Sequence, residues 1–392
     1  MKKDLDLIID FNNIFMRSLF TCQFLTTGIE ISSFDTDEEC KALVQKIVID
    51  LSYIVRLFAP DRVVLVCDSK HPWRNTIYNE IPGEKYKGNR EKDNTKNWDK
   101  IFNAFDELKG ILIARNFIVS DVPRLEADDL AALWKDEFFD KGDNVILATS
   151  DRDWHQLISF NNDNDEFCIC YNPISNNKGK KKLFVTEDMD VWLNSQDKVD
   201  IFFNNFSKIK KAINDLCSDE KNKIVREVIN PEGVLLEKIM CGDDGDNIPA
   251  FYDYFRNGKK VRVTPLKTKH IFENAGINGL GDLTESVNDD RLKSAMEKEF
   301  KKEIELDFVK RLDRQRHLVE LNKDLFPDNC IEEFNKHRFA FSNKGSISSS
   351  VNMEDILRDT RFINMDEIKS RARESSIFDD IKTLSKFSKP LF

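Results

Sequence analysis

Several things are missing from this chain of 392 residues. It has no apolar run long enough to cross a bilayer, so membrane spans leave the reading at once. Met1-Lys2-Lys3-Asp4 runs directly into an apolar segment, so no cleaved leader is expected and the setting is read as cytoplasmic. The eight cysteines include no repeated CxxC pair, which favours reduced thiols over a disulfide framework. Cys168 and Cys170 have no histidine placed to complete a zinc pattern, and small buried strand side chains are their ordinary reading. No internal repeat is visible. The excess of acid, a net charge of −10, argues at first against nucleic acid, but the position of charge decides binding and its sum does not.

With 40% hydrophobic and 33% charged residues, the composition suits a soluble globular protein with a very polar surface. The length suits a main core plus a satellite. Three apolar runs end on an aspartate. Leu5–Ile9 stops at Asp10, Val63–Cys67 at Asp68, and Val145–Ser150 at Asp151. Such short runs predict buried parallel strands, whose carboxyl ends carry the site in an open α/β sheet. Helical spacing over 38–58, 99–114 and 126–140, with a strand at 116–119, completes a βαβ succession with helices on both faces. Between 70 and 100 the chain turns polar, with Trp73, Arg74, Tyr78, Tyr86, Lys87, Arg90 and Trp98 interleaved. Lys178, Lys180, Lys181 and Lys182 form a basic turn, 196–226 reads as charged helices, and Ser342–Ser350 reads as a linker.

Two further acidic strings stand out. Glu126-Ala127-Asp128-Asp129 looks like a helix start, with Glu126 and Asp129 on one face. Acids there also simply suit the helix dipole. Cys241-Gly242-Asp243-Asp244-Gly245-Asp246-Asn247-Ile248-Pro249 places Asp243 and Asp246 three apart around a bend, which is equally the form of an Asx turn. Asp153 follows Asp151 by two, where an aspartate can also cap a helix. Crowded carboxylates repel one another unless cations neutralise them. Hard oxygen donors select Mg²⁺ or Mn²⁺ over zinc, and two such ions suit phosphodiester hydrolysis.

Taken in order, Glu126-Ala-Asp-Asp, Thr149-Ser-Asp-Arg-Asp and Gly242-Asp-Asp-Gly-Asp-Asn-Ile-Pro resemble the flap-endonuclease/5′-nuclease superfamily. Tyr86-Lys87-Gly88-Asn89-Arg90 resembles its arch motif. Thr264–Thr268 and Phe326–Asn329 look most like the ribonuclease H branch found in T-even phages. The resemblance implies a parallel-sheet, PIN-like α/β core over 1–230 with an arch about 70–100. A helix-hairpin-helix-like DNA-binding region over 231–340 and a linker with an amphipathic tail over 341–392 would follow.

It also implies two Mg²⁺ (or Mn²⁺) ions. The first would be held by Asp10, Asp68, Glu126, Asp128 and Asp151, the second held or oriented by Asp129, Asp153, Asp243 and Asp246. Lys87 and Arg90 would act on the scissile phosphate. Arg74, Tyr86, Lys259, Lys260, Arg262, Lys267 and Lys269 would contact nucleic acid. The implied activity is 5′-to-3′ exonuclease and flap endonuclease action on DNA and RNA–DNA duplexes, removing primers or flaps during phage replication. A monomer is expected, with a sliding clamp or single-strand-binding protein as candidate partners, the clamp through the apolar tail from Ser375.

The family's glycine-rich hairpin is replaced here by Phe251–Lys260, which puts a K⁺ site in question. A catalytically silent DNA-structure binder is one alternative. A haloacid-dehalogenase-type phosphatase is another, although that chemistry needs an acid where Asn12 stands.

Overall fold

Leu7, Ile8 and Ile9 have no solvent exposure in β1 (Leu5–Asp10), the mark of a strand covered on both faces. The structure, a computed structural model, describes residues 3–24, 27–78, 85–89, 93–114, 117–164, 166–176, 178–195 and 205–342. α1 (Phe11–Phe20) follows β1 without a loop because Asp10 is its N-cap, accepting from Asn13 N at 2.9 Å. α2 (Asp37–Phe58) opens in a capping box between Thr36 and Glu39. The chain continues through β2 (Arg62–Val66), α3 (Arg74–Tyr78), α4 (Trp98–Ala114), β3 (Ile118–Ser120), α5 (Ala127–Phe139) and β4 (Asn144–Ala148). Next come β5 (Ser159–Asn161), β6 (Glu166–Asn172), β7 (Lys181–Val185), α6 (Glu187–Asn194), α7 (Asn205–Ser218) and β8 (Ile224–Val228).

These strands form one sheet in the order β3-β2-β1-β4-β6-β7-β8, with β5 on β6. β1, β2, β3, β4 and β6 run parallel, while β5 and β7 are antiparallel to β6. The sheet is thus mainly parallel rather than purely so. The stretch 196–226 differs from its expected helices: α7 is one, but Ile224–Val228 pairs with the open edge of β7 as a strand. Cores lie on both faces, around α1, α2 and α4 on one side and around α5 on the other. The carboxyl ends of β1, β2 and β4 point the same way.

A second part has its own core, built on Ile239, Met240, Phe251, Ile271, Leu292 and Met296. It comprises α8 (Pro231–Cys241), β9 (Asp253–Arg256), β10 (Lys259–Arg262), α9 (Pro265–Ala275), α10 (Leu280–Asn288), α11 (Arg291–Phe300) and α12 (Phe308–Val319). Between α8 and α9, β9 and β10 make a β-hairpin. Its tip, Asn257-Gly258, takes φ of 52° and 73°, the pair of positive values a two-residue hairpin of the right twist requires. α13 (Asp328–Ser342) then returns to the α/β part, Phe334 meeting Trp134 edge-on at 5.3 Å. Residues 320–340, expected with the second part, therefore pack on the first. The linker and tail beyond Ser342 lie outside the described residues. The eight cysteines are free thiols. Among the described residues no helix is long and apolar enough to cross a membrane.

Candidate active site

Asp10, Asp68 and Asp151 come to one edge of the sheet. Asp10 is buried at the end of β1, its Oδ2 accepting from Thr149 Oγ1 at 2.8 Å. Burial, and then the facing Asp68, push its carboxyl up to about 7, with Asp151 adding to the effect. Asp68, two residues past β2, accepts the Ala127 amide at 2.9 Å, and its own amide donates to Asn12 Oδ1 at 3.1 Å. Asn12 is thereby a tie between strand ends, not an acid for phosphatase chemistry. Asp151 is exposed, and its Oδ1 accepts from Asp153 N at 2.9 Å in a tight turn. Asn13 donates to Ser150 Oγ at 2.7 Å and closes the same edge.

The start of α5 divides its acids. Asp128 faces the site, taking Trp154 Nε1 at 2.6 Å, and burial together with Asp151 and Asp153 holds its carboxyl well above the usual range. Asp129 points the other way. Its Oδ2 accepts from Trp73 Nε1 and Glu126 N, both at 3.0 Å, and its Oδ1 lies 2.7 Å from Arg74 Nη1. The expectation that Asp129 serves the second ion is corrected by this geometry: it is fully buried and already committed. Arg74 is corrected with it. Only 2% exposed, it joins Glu126 at 3.2 Å and Leu318 O at 3.1 Å, so it ties α3 to α5 and α12 and offers nothing to nucleic acid.

Glu126 meets the 85–89 segment. Lys87 Nζ lies 2.5 Å from Glu126 Oε1 and 3.6 Å from Asp246 Oδ2, while Tyr86 Oη donates to Glu126 Oε2 at 2.9 Å. Despite burial, Lys87 and Arg74 hold the Glu126 carboxyl below its ordinary value. Tyr86 is half-buried against these acids, and its hydroxyl faces carboxylates, so base stacking is not its role in this arrangement. Two hydrogen bonds to main-chain carbonyls fasten the segment: Lys87 N to Asp246 O at 3.0 Å and Asn89 Nδ2 to Asp244 O at 2.6 Å. Arg90 lies outside the described residues.

The 242–249 loop closes on itself, Ile248 N donating to Asp243 O at 2.6 Å. Gly242 is obligatory there. With φ of +69°, a Cβ would stand 2.3 Å from Ile248 O and 2.6 Å from the Pro249 carbonyl. Lys238 on α8 bridges this loop to the sheet edge, contacting Asp153 Oδ1 and lying 2.5 Å from Asp243 Oδ2. Burial and Asp151 push Asp153 up to about 7 even with Lys238 beside it. Sequence reasoning missed Lys238, although it is the only cation in the α8 sequence, five residues before Asp243. A cleft of about 530 Å³ opens here, lined by Asn13, Asp151, Arg152, Asp153, Lys238 and Asp243.

The basic residues of the second part are spread over the hairpin and α9. Lys259 is exposed at the tip, Lys260 pairs with Asp253 at 3.2 Å, and Arg262 pairs with Asp244. Lys267 donates to Arg262 O at 3.1 Å, and Lys269 reaches Glu273 at 3.9 Å. Phe255 beside them is 73% exposed.

Among the described residues no three Asp, Glu, His or Cys side chains converge closely enough to enclose a metal unaided. The donor set nevertheless fits a hard divalent cation. It is all carboxylate, and burial holds the Asp10, Asp128 and Asp153 carboxyls above their usual range, as expected of crowded acids short of positive charge. Mg²⁺ retains several waters and takes only one or two carboxylates at a time. Asp10, Asp68, Glu126, Asp128 and Asp151 could hold one ion in that way, and Asp153, Asp243 and Asp246 another.

Residues 6–191 match the family model of the 5′-3′ exonuclease N-terminal, resolvase-like domain. This α/β part of the chain is thus similar to the N-terminal domain of the 5′-3′ exonucleases. Solved structures of bacteriophage T5 proteins are similar in outline. T5 5′-exonuclease with bound zinc is 15% identical at a TM-score of 0.49, covering 86% of this chain and 98% of that one. T5 flap endonuclease, in a pseudo-enzyme–product complex with DNA and metal ions, is 15% identical at 0.44, covering 85% and 98%. Likeness at these scores decides nothing about the site. No curated protein matches the chain.

Proposed function

We propose that the chain is a metal-dependent 5′ nuclease that hydrolyses phosphodiester bonds at 5′ ends or 5′ flaps and leaves a 5′-phosphate. The observation that carries this reading is the edge itself: Asp10, Asp68, Asp128 and Asp151 lie along it within electrostatic reach of one another, and Lys87 and Lys238 link it to Asp246 and Asp243. The family match over 6–191 supports the reaction class. The T5 relatives hold zinc, or DNA with metal ions, and the same ligand classes are proposed for this chain on the strength of its own carboxylates.

Mg²⁺ or Mn²⁺ is the proposed cofactor, two ions together. Bound there, it would supply water activation and stabilisation of the leaving oxygen. The chain's own groups do the rest. Lys87 brings fixed positive charge to the carboxylates where charge develops on the phosphate. Asn12, Asn13 and Thr149 orient the acids. Lys259, Lys260, Arg262, Lys267 and Lys269 grip the duplex backbone, and Phe255 offers an apolar tip. Residues 1–230 would be the nuclease core and 231–319 the duplex-binding part. Removal of RNA primers or flaps during phage DNA replication is the proposed setting.

The test is incubation with Mg²⁺ or Mn²⁺ and labelled duplexes carrying a 5′ RNA primer, a 5′ flap or a blunt end. Short 5′-phosphorylated products from wild type and none from Asp68→Ala support the reading and rank the substrates. Binding without cleavage under both metals would leave a DNA-structure binder.

A further inference from the structure

The basic turn around Lys178–Lys182 has no part in the site above, yet the topology brings it to the same edge. β6 runs parallel to β4, with Ala148 opposite Tyr171 and Thr149 N donating to Tyr171 O at 3.1 Å. The chain reverses after Asn172 and returns as β7 with Lys182 opposite Asn172. β8 begins beside it, Lys181 N donating to Lys223 O at 2.9 Å. Because β7 is antiparallel to β6, its amino end lies at the same sheet edge as the carboxyl end of β4, two strand spacings or about 10 Å away. Phe184 of β7 confirms the closeness, its ring 4.1 Å from that of His155, four residues after Asp151. Three strand spacings separate β4 from β8, about 14 Å.

Lys178, Lys180, Lys221 and Lys223 are exposed there, and none of them forms an ion pair among the described residues. The turn is pre-shaped. Asn176 Oδ1 accepts from Lys178 N at 2.9 Å and Lys180 N at 3.0 Å, and Gly179 takes φ of 71°. The nearby acids are partly engaged: Asp219 Oδ1 accepts from Lys221 N at 2.9 Å, and Glu227 pairs with Lys182 at 2.6 Å. Ile174, 46% exposed, stands in the same turn. A chain of net charge −10 thus leaves four ammonium groups unpaired along one edge, beside its carboxylates. Their natural complement is a polyanion.

We infer that this edge is a second contact for the phosphate backbone of the nucleic acid being cut, on the strand that leaves the carboxylates toward β8. The inference rests on the nuclease reading. At 3.4 Å per nucleotide along a duplex, 14 Å spans about four nucleotides. A duplex and a single-stranded flap share the backbone chemistry, and the probes below separate them.

The experiment compares wild type with the full-length variant Lys178→Gln/Lys180→Gln/Lys221→Gln/Lys223→Gln. Binding is read in EDTA by fluorescence anisotropy on a blunt duplex, a 5′-flap duplex and a single strand, across a salt series. All four positions are exposed, so the variant's melting temperature should equal that of wild type. Affinity is expected to fall roughly tenfold. The salt slope should shrink by about 0.9 for each duplex phosphate no longer neutralised, or about 0.7 for each single-strand phosphate. Weaker binding to the blunt duplex assigns the edge to duplex, and weaker binding only to flap and single strand assigns it to the flap. Unchanged affinity and slope on every probe would overturn the inference while leaving the nuclease reading intact. Wild type that binds no probe would overturn both.

Discussion

Lys238 Nζ sits between Asp153 and Asp243, 2.5 Å from the latter, and so joins a carboxylate at the sheet edge to one in the loop after α8. Burial works against the Lys238 charge, but Asp153 and Asp243 hold its ammonium above the usual range. Replacement by Gln leaves two neighbouring acids without their cation, which should cost about 2 kcal/mol in the metal-free state. The melting temperature of Lys238→Gln in EDTA is expected to drop, and added Mg²⁺ to raise it more than in wild type. Equal Mg²⁺ shifts in both proteins would mean that the cation does not bind between these acids.

Asp151 is exposed at the edge, where its Oδ1 accepts from Asp153 N in a tight turn. Asp151→Asn should abolish cleavage while changing substrate affinity only a few-fold. Retained turnover would remove Asp151 from the proposed metal ligands.

Lys87 faces Glu126 and Asp246 rather than solvent. Lys87→Ala is expected to lower kcat by about 10²–10³, as loss of one fixed charge at a developing anion does, with KM moving little. A rise in KM with kcat preserved would make Lys87 a binding residue instead.

Arg74 offers the contrasting case. Arg74→Gln leaves Asp129 in the core without its cation, and the expected loss is about 3–5 kcal/mol of unfolding free energy. Denaturant unfolding checks the loss. An unchanged salt slope of DNA binding in the same variant would confirm that Arg74 touches no phosphate.

Asp10 sets a pH dependence. Burial, Asp68 and Asp151 raise its carboxyl from 3.8 to about 7, so the native state holds a proton that the unfolded state releases over that window. The stability from this group is present below about pH 4 and is lost as pH rises toward 7. Unfolding in urea with EDTA should therefore show a fall from pH 5 to pH 8 that is smaller in Asp10→Asn. An identical fall in the variant would assign the effect to other groups.

Much of this was legible in the chain alone. Short β-branched runs ending on Asp10, Asp68 and Asp151 had to become buried strands with acids at one edge, because local pattern and strand direction suffice for that inference. Gly242 and the caps Asp10, Thr36 and Thr264 are likewise local, each satisfied within a few residues. Tertiary structure decided the rest. Asp128 and Asp129 are adjacent and carry the same charge, and only packing against Trp73 and Arg74 turns one into the core and the other to the site. Arg74 reads as a surface cation until Leu318, 244 residues away, supplies its acceptor. The basic turn reads as a solvated loop until β7 reverses direction and sets it at the sheet edge that carries Asp151. Local spacing determines which elements form, but a side chain's partners come from distant segments, and burial then decides whether a charge is structural or free to act.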